Sequence, residues 1–171
     1  MITYLKGDAT EPVGEGTKIV AHVCNDIGAW GRGFFLSVTK KWPEAEADYR
    51  NWYQQNPPRN TYDPPYPEFV LGNVRCVKVS DDIYVANMIA QTGIFKNQDG
   101  RPPIRYHALK KCLETLAHLG ADSIHMPRIG CGLAGGTWEE VEKIINETLT
   151  DMPVFVYDFE SDDARTIAWK K

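Results

Sequence analysis

Lys18-Ile19-Val20-Ala21-His22-Val23-Cys24-Asn25-Asp26-Ile27-Gly28-Ala29-Trp30-Gly31-Arg32-Gly33 is an apolar strand that runs straight into a glycine-rich loop, and helix-forming residues resume at Phe34. The pattern recurs in Ile124-His125-Met126-Pro127-Arg128-Ile129, followed by Gly130-Cys131-Gly132-Leu133-Ala134-Gly135-Gly136 and a second helix from Trp138. Glycines let main-chain N–H groups approach an anion closely, and the positive end of the following helix dipole favours negative charge. Two such loops at strand carboxyl ends of one domain suit a diphosphate. Neither is a standard nucleotide fingerprint. Gly28, Gly31 and Gly33 have the wrong order for a dinucleotide G-x-G-x-x-G, and the absence of a following G-K-S/T excludes a P-loop NTPase.

Working outward, strands are expected at Ile2–Leu5, Lys18–Val23, Val74–Val79, Ile83–Met88, Ser123–Met126 and Val154–Tyr157. Asp81-Asp82 marks a hairpin-like turn between the third and fourth, which makes the sheet mixed. Helices are expected at Phe34–Lys41, at Glu44–Gln54 behind Pro43, at Tyr106–Leu119 and at Trp138–Leu149. Gly120 stops the third, and Thr137 with Glu140 forms a capping box for the fourth. Strand and helix alternate, which argues for a layered α/β sandwich. Asn56 to Pro67 carries five prolines and is expected to be a surface excursion; Thr92 to Pro103 is a second loop.

A chain of 171 residues fits one domain, spanning 1–171, and its hydrophobic content of 43%, charged content of 25% and net charge of −4 are those of an ordinary globular protein. A mildly acidic chain repels phosphate backbones on average, so a nucleic-acid substrate is not favoured. No window is apolar enough to span a bilayer, and Met1 to Lys6 shows no basic region followed by a long apolar stretch; a cytoplasmic monomer is expected. Cys24, Cys76, Cys112 and Cys131 form no CxxC pair and read as free thiols filling apolar space; Cys131, inside a glycine loop, lacks a partner that would make it a nucleophile. His107, His118 and His125 have no ligand spacing, so neither a metal nor another cofactor is expected.

These motifs resemble the macro domain family. Gly7-Asp8-Ala9-Thr10 is similar to its G-D-x-T signature, Val20 to Asn25 with Gly28 to Gly33 to its first ligand loop, and Met126 to Leu133 to its second. Within the family the likeness is to the branch holding terminal ADP-ribose glycohydrolases, ALC1-like modules and ADP-ribose-1″-phosphate phosphatases. The resemblance implies a three-layer α/β/α sandwich with a mixed central sheet that binds ADP-ribose or an ADP-ribosylated protein. It implies that Asp8, beside Ala9, accepts a hydrogen bond from the adenine amino group, that Tyr157 packs near the adenine, and that Asn25 holds the distal ribose. The backbones of Gly31, Gly33, Gly130, Cys131, Gly132 and Leu133, with Ile129 beside them, would cradle the diphosphate. Arg32 and Arg128 are placed to meet phosphate, or to form surface ion pairs, while Trp30 and Phe34 would wall the distal ribose or serve as core aromatics.

The residues depart from the family's glutamate-directed glycohydrolases at two points. Gln91 stands where that branch implies a catalytic lysine, and Ala134 stands where it implies an aspartate. The remaining catalytic candidates are Asn25 or Gln91 to orient a water and Asp26 or His22 to deprotonate it. The functions left open are a hydrolase that uses an activated water to free ADP-ribose from an acidic side chain or from a 1″-linked small group, an ADP-ribose-1″-phosphate phosphatase, a reader that binds without turnover, and an enzyme acting on ADP-ribosylated nucleic acid.

Overall fold

The computed structural model describes residues 1–55 and 67–158. Most of the five-proline stretch, 56–66, lies outside the described residues. Strands β1 (Ile2–Lys6), β2 (Lys18–Asn25), β3 (Val74–Lys78), β4 (Ile83–Gln91), β5 (Ser123–Met126) and β6 (Val154–Asp158) form one sheet in the order β1-β6-β5-β2-β4-β3. Helices are α1 (Phe34–Lys41), α2 (Pro43–Gln55), α3 (Tyr106–Ala117) and α4 (Trp138–Thr148). Neighbouring strands pair in parallel except β3 with β4, which are antiparallel. The hairpin expected at Asp81-Asp82 closes with Val79 and Ser80 donating to the carbonyl of Ile83. The mixed α/β sheet matches expectation.

The alternation along β2 assigns the layers. Ile19, Ala21 and Val23 share a core with Leu109, Leu113 and Leu116 of α3 and with Val141, Ile144 and Ile145 of α4. The intervening residues face the other way, Val20 against Val38 and Ala45, Cys24 against Tyr49 and Trp52. Burial on both faces is why β2 and β4 read as continuous apolar runs rather than as alternating ones.

Most boundaries moved by a residue or two, and the larger differences have local causes. β4 extends three residues past Met88, because Ile89 pairs with Cys24 and Gln91 with Asn25 across a bulge. α3 ends at Ala117, two residues short of the expected limit, with His118 as its C-cap and Gly120 left-handed at φ 78°. The second glycine loop does not open directly into α4; a single 3₁₀ turn, Gly132–Ala134, is interposed. At the α4 cap Thr137 accepts from the amide of Glu140, at 3.4 Å, but no return bond from the Glu140 carboxylate is found among the described residues, so the capping box is half formed.

All five parallel strands end on the same edge of the sheet. That edge carries the loops 7–17, 26–33, 92–105 and 127–137, and at neighbouring β2 and β5 the connections part to opposite faces, β2 leading to α1 and α2 and β5 to α4. A crevice at such a switch point is where open α/β sheets take their ligands.

Candidate functional site

The first loop is organised from within by Asn25. Its side-chain Oδ1 accepts from the amides of Ile27 and Ala29, both at 3.1 Å, and its Nδ2 donates to the carbonyl of Ala29 at 2.6 Å. Tyr49 of α2, fully buried, donates to the Asn25 carbonyl at 2.7 Å and lies 3.0 Å from Oδ1. Expected to hold the distal ribose, Asn25 instead has its amide occupied by its own loop, an Asx-type cap at a strand end. Beyond it, no acceptor among the described residues takes the amides of Trp30, Gly31, Arg32 and Gly33. Gly33, at φ 69°, caps α1 with no side-chain hydrogen bond, so the positive end of that helix is open.

The second loop is closed on itself in the same way. The Gly136 amide donates to the Gly130 carbonyl at 2.8 Å, Gly135 donates to Gly132, and Ala134 donates to Cys131. These bonds leave the amides of Cys131, Gly132 and Leu133 without an acceptor among the described residues. The fit is tight: a Cβ at Gly136 would run into the Gly130 carbonyl oxygen, and one at Gly130, φ 73°, would lie 3.0 Å from Ile104. Two rigid loops thus present rows of unpaired donors on one edge.

Between them stands a polar group made by β2, β4 and the loop that follows β4. The Asp26 amide donates to the Gln91 carbonyl at 3.0 Å, and Asp26 Oδ1 accepts from the Gly93 amide at 2.9 Å. Gln91 Nε2 donates to the Gly93 carbonyl at 2.9 Å. Asp26 Oδ2 has no donor among the described residues. Asp26 and Gln91 are therefore brought together as expected, but Gln91 acts as a clasp on the loop.

Other expected residues are placed differently. His22 is 2% exposed, with Nε2 2.6 Å from Asn87 Oδ1 and its ring edge-on to Trp30, Phe34 and Phe35. Burial pulls its pKa down to about 4, against a small upward push from Asn87, so it is a neutral core histidine and is withdrawn as a catalytic base. Trp30 turns its indole inward to the Phe35 carbonyl and to Thr39 Oγ1, which bonds Glu46; with Phe34, likewise half-buried, it packs against the core on the α1–α2 side of the sheet. Arg128 is the surface ion pair: Nε and Nη2 meet the Asp158 carboxylate at 2.7 and 2.9 Å, and the guanidinium lies 5.1 Å from the ring centres of Tyr4 and Trp138. That pairing leaves it no free fork for phosphate.

Tyr157 is buried, its hydroxyl 2.7 Å from His125 Nδ1 and accepting from the Val13 amide at 3.0 Å. It pins the loop 7–17 against β5 and β6. Asp8 and the buried Ala9 lie in that loop; Asp8 Oδ1 accepts from the Thr10 amide and hydroxyl, both at 2.8 Å, and no donor among the described residues takes Oδ2. Cys131 is half-buried and its thiol is pushed up by burial, which opposes a nucleophilic role. Arg32 is exposed and makes no ion pair among the described residues, and Ile129 is buried beneath the second loop. No group of His, Cys, Asp and Glu among the described residues can hold a metal ion.

Sequence reasoning missed Tyr49 and Arg105. Arg105, 8% exposed, ends the loop 92–105; its amide donates to the Ala90 carbonyl, and Nη1 is shared by the carbonyls of Pro102, Pro103 and Ile104 at 2.6, 3.0 and 2.9 Å. The Pro102-Pro103 pair signalled only an irregular loop. An arginine just after it is the trace that was available.

A family model described as Macro domain matches residues 76–145, which span β3 through most of α4. A solved Bacteroides thetaiotaomicron protein is 49% identical over 93% of this chain and 98% of that one, with a TM-score of 0.85. A macrodomain protein from Streptomyces coelicolor is 43% identical over 92% of this chain and 99% of that one, with a TM-score of 0.75. The chain belongs to the macro domain family. Among curated relatives of this macro domain, the ADP-ribose 1″-phosphate phosphatase of Candida albicans is 28% identical over 86% of this chain and 93% of its own.

Proposed function

We propose that this macro domain binds ADP-ribose across the two glycine loops and hydrolyses a bond at the distal ribose. The observation that carries the reading is the pair of open donor rows, Trp30 to Gly33 and Cys131 to Leu133, on the edge where the parallel strands end. A pyrophosphate seated there replaces water on amides already oriented, with little ordering left to do. Asp8 Oδ2 is open to an amino group at the other end of such a ligand. The names of the curated phosphatase relatives support a phosphorylated distal ribose, and the likeness to the glycohydrolase branch supports an acyl-linked one. In either case Asp26, anchored through Oδ1 by Gly93, offers Oδ2 to a water as general base.

A second reading, a non-catalytic reader, draws on Gln91 and Ala134. Gln91 is held by Gly93, and Ala134 is buried with no functional group. Titration calorimetry with ADP-ribose, run beside assays for ADP-ribose release from an automodified polymerase and phosphate release from ADP-ribose 1″-phosphate, separates the readings. Binding with either release supports the hydrolase; binding with neither supports the reader. No heat and no change in melting temperature at millimolar ADP-ribose rejects both. A cytoplasmic site of action accompanies this proposal, and fractionation of the native host tests it.

A further inference from the structure

The grip on Arg105 is one-sided. Three consecutive carbonyls converge on Nη1, while Nε and Nη2 find no acceptor among the described residues. Neither nitrogen is sealed, because the only buried side-chain nitrogen or oxygen without a partner among the described residues is His22 Nδ1. The main chain fixes where they emerge. The Arg105 amide is tied to Ala90 at the end of β4, and the Ile104 amide to the Ala134 carbonyl of the second loop at 3.0 Å. The Arg105 main chain is therefore pinned between the end of β4 and the second loop, and its guanidinium lies near enough to Asp26 to feel that carboxylate.

We propose that Arg105 is a specificity-determining residue of the crevice, its free Nε and Nη2 donors receiving an anionic group carried on the distal ribose. A planar guanidinium offers a fork to a phosphomonoester and finds no counter-charge in an uncharged acyl ester. The surrounding field agrees in sign. Exposed Arg101 adds a second positive charge, Asp26 partly offsets the two, and burial with Arg101 lowers the Arg105 pKa against the upward pull of Asp26. Anchoring by three carbonyls means the side chain needs no reordering to bind, unlike a lysine on a flexible stem. The reaction this selects is hydrolysis of the bond between the 1″ oxygen and phosphorus: water supplies hydroxide to phosphorus and a proton to the departing oxygen, giving ADP-ribose and inorganic phosphate.

This inference rests on the ADP-ribose reading, and the test keeps their failures apart. Arg105→Gln, Arg105→Lys and Arg101→Gln are compared with the parent chain for ADP-ribose affinity by calorimetry, phosphate release from ADP-ribose 1″-phosphate, and melting temperature. The expected result is an unchanged ADP-ribose Kd in Arg105→Gln, a fall of about tenfold or more in kcat/KM for phosphate release, partial rescue by Arg105→Lys, and a smaller fall in Arg101→Gln, whose exposed charge is screened by solvent. Equal turnover in Arg105→Gln overturns the proposal. So does loss of ADP-ribose affinity in step with melting temperature in both Arg105 variants, which would mark a purely structural clamp. A parent chain that binds ADP-ribose but releases no phosphate also overturns it, leaving the broader reading intact; a parent chain that binds no ADP-ribose removes both.

Discussion

The phenol of Tyr49, on α2, donates to the main-chain carbonyl of Asn25 at 2.7 Å, fixing the end of β2 from a helix 24 residues further along the chain. Because Asn25 in turn holds the amides of Ile27 and Ala29, one buried hydroxyl governs the shape of the whole first loop. Tyr49→Phe leaves a buried carbonyl without this donor, and is expected to cost about 1–3 kcal/mol of stability. ADP-ribose affinity should fall with it, by several-fold. Urea denaturation and calorimetry check the pair of effects; an unchanged Kd in a destabilised variant would mean the loop holds its form without Tyr49.

Gly136 has a backbone open to any residue, yet its missing Cβ faces the Gly130 carbonyl. Gly136→Ala must push the second loop apart where it closes and re-aim the amides of Cys131 to Leu133. The expected outcome is a loss of ADP-ribose affinity of about tenfold or more, with the circular-dichroism spectrum retained. Gly14→Ala, in open space on another loop, serves as the contrast, although its φ of 95° adds some strain.

Asp26→Asn preserves shape and the acceptor for Gly93 while removing the negative charge. Under the hydrolase reading kcat falls about 10²-fold or more, and the ADP-ribose Kd stays within about twofold. Single-turnover assays at saturating substrate measure this. Turnover equal to the parent's would move the base elsewhere.

His22 and His125 are both held neutral, their pKa values pulled down to about 4, chiefly by burial. The folded values lie below the unfolded value of about 6.5, so the unfolded chain binds more protons in between. Stability is complete above pH 6.5 and is lost as pH falls toward 4, after which these two groups add no further change. Few carboxylates titrate between pH 6.5 and 5.5, so a decline in the urea midpoint there reports the histidines. A midpoint that is flat over that window contradicts the burial argument.

The paired glycine loops, the hairpin at Asp81-Asp82 and the succession of strands and helices along the chain were readable because each depends on local chemistry: glycine punctuation, apolar runs, a turn. The roles within the loops were less so. Asn25 and His22 lie in a run whose residues carry no mark of which face they take until β2 is paired on both sides. Arg128 reads equally as a phosphate ligand or a surface ion pair until Asp158, 30 residues away, is seen to claim it. Arg105 and Tyr49 escaped notice because their importance comes from carbonyls and loops supplied by other elements, which spacing along the chain does not reveal.

The two donor rows belong to segments about a hundred residues apart in sequence, one after β2 and one after β5. A molecule bridging them would behave as a removable staple between the early and late parts of the chain. Occupancy and global unfolding are then coupled: each tenfold excess of ligand over its dissociation constant adds about 1.4 kcal/mol of resistance to unfolding, and no fragment lacking either half can acquire the site.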